Sequence, residues 1–273
     1  MEFYLSFKGF EAYAKEKMKP ITIHPFTQDL LTNVSYFWNC KTKEELHGFY
    51  FLGGEDRENQ FQALLSIVQA NKKLFSLICT TIPTMDGWTT LPKACALASL
   101  TLAIKPVSVV EIGIWAGRSL LPVAMALKTI GSGIITGIDP YSPQESAQSE
   151  FGENAVWWGA QDHQAIKKKF EQFVRYFQVE AHVRHIEKPS DQVELNLQPQ
   201  LLHIDGSHTD QAVRDAERFG KLVPLGGIVV MDDIHWVGGG VLRAIDTLEE
   251  MGFVEVLRRT TDGDNWNIMQ RVK

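Results

Sequence analysis

The fold is constrained most by a regular alternation of short apolar runs and helix-like segments, which extends from residue 107 to the end of the chain. The run 107–112 is apolar along most of its length, which is typical of a strand buried on both faces. Helical patterns follow, for example at 119–129 and 209–222. This order predicts a mostly parallel sheet covered by helices on both faces. The last two predicted strands, at 254–258 and 266–270, are expected to form an antiparallel edge of this sheet.

The first part of the chain lacks this alternation. Its apolar residues recur at mixed spacings of three and four, as in the segment 58–80, which predicts helices. A further helix is predicted at 91–104, immediately before the first strand of the sheet. We therefore predict two regions: a helical cap or oligomerisation segment at 1–85, and a Rossmann-like α/β domain with a seven-stranded sheet at 86–273.

Composition excludes several classes of partner. The net charge is -6 and no basic stripe is visible, so nucleic acid is disfavoured. No apolar run approaches the ~20 residues that a membrane span needs, and the charged N-terminus does not resemble a secretory signal. Three widely spaced cysteines, Cys40, Cys79 and Cys95, fit reduced thiols better than a disulfide framework or a zinc site. These features predict a cytoplasmic protein.

Ligands of such sheets bind beyond the carboxyl ends of the strands. The first predicted strand ends in a turn with the spacing E-x-G-x-x-x-G, formed by Glu111, Gly113 and Gly117. Glycine lets the backbone approach a ligand, and the helix that follows offers free N–H groups. The spacing differs from the G-x-G-x-x-G that holds a pyrophosphate, and an acidic residue attracts an ammonium group. The turn therefore favours S-adenosylmethionine, which carries an ammonium and a sulfonium, over NAD.

The other strand ends are also polar. Asp139 follows the second strand, where a carboxylate can accept hydrogen bonds from two ribose hydroxyls. Ser190 lies in a polar turn after the third strand, suited to an adenine edge. The fourth and fifth strands end near a further group of polar residues: Asp205, His208, Asp232, Asp233 and His235.

The segments VVEIGIWAGRS, GIDPY, LLHIDGSHTDQAV and LVPLGGIVVMDDIHW resemble class I methyltransferases, with four strand ends in matching order. Within that class the chain is most similar to small-molecule O-methyltransferases of the macrocin O-methyltransferase and cephalosporin hydroxylase-like group, and more distantly to the catechol type. The likeness covers about 86–273. It implies methyl transfer from S-adenosylmethionine to a hydroxyl of a small molecule. The cofactor-binding residues that we predict are Glu111, Gly113, Trp115, Gly117, Ser119, Asp139, Ser190 and Asp205.

The resemblance also implies a metal site. Metal-dependent relatives carry one aspartate at the end of the fourth strand and a pair of acidic or amide residues at the end of the fifth, which correspond here to Asp205, Asp232 and Asp233. Three converging oxygen donors suit Mg²⁺, which would orient and acidify the substrate hydroxyl. Alternatively, Asp205 caps the next helix and the adjacent aspartates are simply solvated.

Two histidines are alternative candidates for the general base. The catechol-type enzymes place a lysine base three residues after the first metal aspartate, and His208 stands there in this chain. Neutral histidine can take the hydroxyl proton at pH 7, and His235 is a rival; alternatively, His208 only hydrogen-bonds a carboxylate. The predicted catalytic set is His208, Asp205 and His235. His203, inside an apolar strand, is predicted to be a packed core residue.

The connection 141–163 is long for a strand–helix link, which predicts a lid. Trp157 and Trp158 within it would stack on a planar or apolar acceptor, or alternatively anchor the connection to the domain. Two other functions stay open. One is a non-methylating, hydroxylase-like enzyme on the same fold. The other is an NAD(P)-dependent oxidoreductase, disfavoured because no G-x-G-x-x-G follows a strand. The predicted partners are a small hydroxyl-bearing substrate and a second copy of the chain.

Overall fold

The computed structural model describes residues 3–4, 70–148, 150–261 and 264–273. Within these residues, eight strands form one sheet: β1 Phe3–Tyr4, β2 Ser108–Ile112, β3 Ile134–Ile138, β4 Val183–Ile186, β5 Leu201–Ile204, β6 Ile228–Asp232, β7 Phe253–Thr261 and β8 Asp264–Arg271. The helices are α1 Lys72–Thr81, α2 Leu91–Ile104, α3 Leu120–Ile130, α4 Pro143–Gln148, α5 Gly152–Gly159, α6 His163–Tyr176, α7 Asp210–Gly220 and α8 Gly240–Glu250.

The strand order is β1-β7-β8-β6-β5-β2-β3-β4. Strands β2 to β6 are parallel, whereas β7 and β8 are antiparallel to their neighbours. This confirms the predicted Rossmann-like sheet with an antiparallel edge. The chain runs from β2 outwards to β4 and then returns to the other side of β2 to form β5. The carboxyl ends of β2 and β5 therefore flank the switch point at which such sheets bind ligands.

Two apolar layers cover the sheet. One contains α1, α2, α3 and α6, with fully buried residues such as Phe75 and Phe170. The other contains α7 and α8, where Phe219 and Leu248 pack beneath the strands. The central strands are apolar along their length because both of their faces are covered.

The N-terminal region agrees only in part with the predicted helical segment. Of the predicted helix 58–80, the described portion is helical as α1, and the residues before 70 lie outside the described residues. Phe3–Tyr4 instead pairs with β7 as a short antiparallel strand, which the helical prediction did not anticipate. Two residues are too few to show a strand periodicity, so pairing with a distant edge decides their conformation.

The connection 141–163 is not an irregular loop, because it contains α4 and α5. Pro143 occupies the first position of α4, where proline is favoured, so the sequence carried a signal for this helix. None of the described helices combines the length and the apolar character needed to cross a membrane. Cys79 and Cys95 are free thiols, and Cys40 lies outside the described residues.

Candidate active site

A cavity of about 860 Å³ opens at the carboxyl edge of the sheet, over the switch point between β2 and β5. Its floor includes Ile112, Ile138, Asp205 and Asp232, which end or follow four neighbouring strands. Small-molecule sites in proteins measure roughly 300–1,000 Å³. The cavity is therefore large enough for a cofactor together with a small second ligand.

The turn after β2 requires glycine at its first position. Gly113 has φ +86°, and a Cβ there would lie 2.1 Å from the backbone oxygen of Asp205. Any larger residue would push the end of β2 away from β5. Gly113 also lines the cavity, so the backbone is open to a ligand at this point.

Asp139 holds this turn in place. Its Oδ2 accepts hydrogen bonds from the backbone N–H groups of Ile114 and Trp115 at 2.9 and 3.0 Å, and its Oδ1 accepts one from Tyr141 at 2.8 Å. Burial raises the pKa of Asp139, although these hydrogen bonds oppose the shift. Asp139 lines the cavity, and a carboxylate has about four acceptor sites. Capacity for one more donor, such as a ribose hydroxyl, is therefore left.

Two of the predicted cofactor residues lie behind the cavity wall. Glu111 is fully buried; its Oε1 accepts a hydrogen bond from Ser119 Oγ at 2.7 Å, and its Oε2 lies 3.2 Å from His203 Nδ1. Gly117, with φ +83°, packs against the ring of Phe170, which a Cβ would approach to 2.5 Å. The structure thus gives Glu111 and Gly117 structural contacts, whereas Ser119 lines the cavity, and its predicted cofactor contact stays a prediction.

Ser190 and Trp115 both line the cavity, at separate points of its wall. Ser190 Oγ accepts a hydrogen bond from Gln211 Nε2 at 3.0 Å, and the same amide donates to Asp215 at 2.9 Å. Burial raises the pKa of Asp215 to about 6, although hydrogen bonds from Ser190 and Gln211 oppose the shift. This is the polar wall at which we predicted the adenine edge.

A deeply buried charge of the cavity belongs to Lys93, a residue that the sequence did not point to. Its Nζ lies 3.0 Å from Asp205 Oδ2 and also contacts Asp232 Oδ2. Burial acts to lower the pKa of Lys93, but the charges of Asp205 and Asp232 outweigh it and raise this pKa above its usual value. Lys93 is therefore an ammonium group, only 1% exposed.

The first turn of α2 positions this lysine. Thr90 is the N-cap, and its side chain accepts a hydrogen bond from the backbone N–H of Lys93 at 3.3 Å. The helix therefore begins at the edge of the cavity and directs its positive end towards the aspartates.

The pKa values of the two aspartates are shifted in opposite directions. Burial and the neighbouring charge of Asp232 raise the pKa of Asp205 well above its usual value, although Lys93 opposes the shift. Burial also acts against ionisation of Asp232, but Lys93 outweighs it and lowers the pKa of Asp232. Asp232 thus forms the main ion pair with Lys93, and Asp205 is the more basic carboxylate.

The predicted metal ligands are not brought together as a set. Asp205 and Asp232 converge, and His203 joins them, so that ligand atoms of these three lie within 4.8 Å of one another. Asp233 does not join them: it has φ +51°, and its Oδ2 lies 2.9 Å from His208 Nε2. His203 is buried as predicted, with Nε2 3.7 Å from Asp205 Oδ2.

The donors of this cluster do not fit Mg²⁺ while Lys93 is in place. Mg²⁺ binds oxygen ligands at about 2.1 Å. An ion at that distance from Oδ2 of Asp205 and of Asp232 would stand directly against the ammonium nitrogen, which contacts the same two oxygens. Two positive charges cannot share this buried position at low cost.

His208 is held between two carboxylates. Its Nδ1 lies 2.9 Å from Glu150 Oε1, its Nε2 lies 2.9 Å from Asp233 Oδ2, and its ring stacks on Trp236 at 4.2 Å. Burial acts to lower the pKa of His208, but the hydrogen bonds to Asp233 and Glu150 outweigh it and raise this pKa to about 10. A protonated imidazole cannot accept a proton, so this geometry argues against the predicted role of His208 as general base. His235 lines the cavity but is exposed.

Four tryptophans form a cluster on another part of the cavity wall. Trp88, Trp115, Trp157 and Trp158 lie with ring centroids 4.9 to 6.0 Å apart, and all four line the cavity. Trp88 is 63% exposed and Trp157 is 40% exposed. We call these residues the tryptophan cluster. The rings pack on one another, which agrees with the alternative that Trp157 and Trp158 anchor the connection to the domain. Stacking on an acceptor stays a prediction.

The parallel sheet, the glycine turn at the switch point and the cavity above it form the arrangement in which Rossmann-like folds bind nucleotide cofactors. Residues 110–234 match the model of a family described as "Methyltransferase domain". The match spans 125 of the 273 residues, from within β2 to just after β6. No curated protein sequence matches the chain.

Solved structures share this fold at low sequence identity. The chain is similar to the O-methyltransferase NovP (TM-score 0.58, 10% identity, covering 75% of this chain and 99% of NovP). It is also similar to cofactor-bound Rv0187 from MTB (TM-score 0.53, 14% identity, 80% and 99% of the two chains). A third similar structure is the O-methyltransferase from Bacillus cereus in complex with SAH (TM-score 0.50, 14% identity, 76% and 97%).

Proposed function

We propose that the protein transfers the methyl group of S-adenosylmethionine to a hydroxyl group of a small molecule. The observation that carries the proposal is the cavity over the switch point, whose wall contains the Gly113 turn, Asp139 and Ser190. These are three of the strand-end positions at which the sequence resembles class I methyltransferases. The similar enzyme from Bacillus cereus was solved with SAH, which supports the same cofactor here.

The cofactor would lie along this wall. In our proposal the methionine portion approaches the open backbone at Gly113, the ribose hydroxyls donate to Asp139, and the adenine lies near Ser190. Asp139 and its ring of backbone donors keep the turn rigid, so the cofactor would be held in one orientation. Precise orientation supplies a large part of the rate in a displacement of this kind.

The chemistry is an in-line displacement. The acceptor oxygen forms a bond to the methyl carbon while the carbon–sulfur bond breaks, and its electron pair goes to sulfur. The products are the methyl ether and S-adenosylhomocysteine. We propose that the hydroxyl proton passes to the carboxylate of Asp205, which lines the cavity and is the more basic of the two buried aspartates.

The tryptophan cluster supports an acceptor with a planar or apolar body. Trp88 and Trp157 are partly exposed on the cavity wall, and large aromatic rings bind such groups through contact area and ring geometry. In this proposal the ring of the acceptor lies on the cluster and its hydroxyl reaches towards Asp205.

Calorimetric titration with S-adenosylmethionine tests the cofactor assignment, with NAD⁺ as the control ligand. We expect S-adenosylmethionine and S-adenosylhomocysteine to bind and NAD⁺ to give no heat. No binding at ~1 mM S-adenosylmethionine, about 4 kcal/mol of affinity, would contradict the proposal. Detection of S-adenosylhomocysteine after incubation with a panel of phenols distinguishes methyl transfer from a hydroxylase-like reaction.

A further inference from the structure

We propose that the ammonium group of Lys93 takes the place of the divalent cation, so that methyl transfer at this site proceeds without a metal. The inference rests on the proposed function and adds to it a charged group contributed by the chain itself. The metal predicted from the sequence and the observed contacts of Lys93 are incompatible with each other.

The position of Lys93 corresponds to that of the missing ion. Its nitrogen contacts Oδ2 of both Asp205 and Asp232, the two carboxylates that converge with His203 in the candidate metal cluster. The lysine side chain is 2% exposed, and the aspartate side chains are 18% and 15% exposed. A charge buried this deeply persists only when it is paired, and these two carboxylates are its pairing partners.

A metal would have to displace the lysine. The ammonium is held by a residue of α2 whose backbone is fixed by the Thr90 cap, so the helix start anchors it at this place. Removing one member of a buried ion pair is strongly destabilising, because it leaves the other charge buried and unpaired. A weakly bound ion such as Mg²⁺, which gives up its water reluctantly, competes poorly against a cation tethered to the chain.

Lys93 also has the capacity to act on the acceptor. An ammonium has three N–H donors, and two are directed at Asp205 and Asp232. Among the described residues Lys93 Nζ has no third partner, so its remaining N–H can donate to a hydroxyl oxygen in the cavity that Lys93 lines. It would stabilise the negative charge that develops on this oxygen as its proton moves to Asp205, which is the electrostatic task of a metal.

The direct test uses the unmodified protein. Mn²⁺ is titrated calorimetrically and by the loss of its free-ion electron paramagnetic resonance signal, and methyl transfer is measured with and without excess EDTA. We expect no Mn²⁺ binding below about 1 mM and the same rate in EDTA. Tight Mn²⁺ binding together with loss of turnover in EDTA would overturn the inference.

The complementary test uses Lys93→Met, which removes the charge but keeps an unbranched side chain. Three converging ligands then lack a cation, so we expect Mn²⁺ to bind at least ~10-fold more tightly than to the unmodified protein. Turnover in EDTA should fall by about 100-fold. The matched control is Lys167→Met, at a lysine that pairs with Glu187 outside the cavity; it should change neither quantity.

Separate measurements distinguish an error in the role of Lys93 from an error in the proposed methyl transfer. Mn²⁺ binding does not depend on methyl transfer, and S-adenosylmethionine binding is measured separately. S-adenosylmethionine binding with strict metal dependence removes the role of Lys93 and leaves the methyltransferase. If Lys93→Met does not fold, as its thermal melting would show, the EDTA and Mn²⁺ measurements on the unmodified protein still decide.

Discussion

The two ends of the cavity are built in different ways. At the charged end, Lys93, Asp205 and Asp232 come from the first turn of a helix and from the ends of two central strands, and their side chains are largely buried. At the aromatic end, Trp157 and Trp158 come from α5, a short helix inside the connection 141–163, and Trp157 is 40% exposed.

This difference indicates that the two ends of the cavity have different roles. Groups on rigid, buried elements keep their geometry and suit the reacting atoms, whereas groups on a surface connection suit recognition of a variable ligand. Substitutions at the charged end should therefore lower kcat, and substitutions at the aromatic end should raise KM for the acceptor. Each of the following predictions tests that separation.

The largest effect is expected from Asp205→Asn. The amide keeps the shape of the side chain but cannot take the hydroxyl proton, so kcat should fall by about 10²- to 10⁴-fold. Binding of S-adenosylmethionine, measured calorimetrically, should change by less than about threefold. The control is Glu145→Gln, another carboxylate that lines the cavity. Normal turnover of Asp205→Asn would show that the charged end is not where the proton is accepted.

The next largest effect is expected at Gly113, in the turn after β2 that packs against Asp205. In Gly113→Ala, the new methyl group would meet the backbone oxygen of Asp205, and φ is +86°. We expect a loss of about 3 kcal/mol or more in the free energy of unfolding, with S-adenosylmethionine binding largely abolished.

Gly131→Ala is the matched control, because Gly131 has φ +83° but no atom within 4 Å of the added Cβ. It carries the backbone strain without the clash, so we expect a loss of only about 1 kcal/mol and unchanged cofactor binding. Chemical denaturation of both variants measures the difference. Equal losses would mean that β2 and β5 are not held together at Gly113.

The strand ends were predictable because each depends on a local pattern. The apolar runs, the glycine turn and the polar residues after each strand lie close together in sequence, and Asp139, Ser190 and Asp205 all line the cavity. Glu111 does not line it, because it lies opposite His203 in the parallel register and its carboxylate contacts Ser119 and His203. A motif gives the end of a strand but not the direction of every side chain in it.

The charged end was missed for a different reason. Lys93 is separated from Asp205 by 112 residues, and no local pattern connects the start of α2 to the end of β5. Glu150 reaches His208 across 58 residues in the same way. Asp233 was assigned to the metal, yet its positive φ directs it to His208. Long-range ion pairs of this kind depend on the tertiary structure. A lysine within an otherwise apolar helix was the one available signal.

A smaller effect is expected from Trp157→Ala, which acts on the aromatic end alone. Loss of one ring from the tryptophan cluster removes about 1 kcal/mol of stacking, so KM for a planar acceptor should rise by roughly 5- to 10-fold. The matched control is Trp236→Ala, at a tryptophan of almost equal exposure, 39% against 40%, that stacks on His208 at the charged end. Steady-state kinetics with a phenolic acceptor should show the change in KM only for Trp157→Ala. A fall in kcat instead would contradict the division between the two ends.

The smallest effect on catalysis is expected from His208→Gln, which should lower kcat by less than about tenfold. The folded-state pKa of His208 is about 10, against 6.5 for an ordinary histidine, because Asp233 and Glu150 outweigh the effect of burial. The proton is bound more tightly in the folded state, so the stabilisation is complete below pH 6.5 and is lost as the pH rises to about 10. Thermal melting of the unmodified protein should therefore fall across this range by several degrees more than melting of His208→Gln.

His182→Gln is the control for this pH dependence, since His182 contacts the backbone oxygen of Gly133 outside the cavity. The melting temperature of His182→Gln should fall with rising pH as steeply as that of the unmodified protein. Suppose that the melting temperature of His208→Gln also falls as steeply with pH as that of the unmodified protein, while its kcat falls by more than about 100-fold. His208 would then be neutral in the folded state and available as the general base. Proton acceptance would then lie in the contact between Glu150 and His208, on a connection rather than at a strand end, and the contrast between the two ends of the cavity would no longer hold.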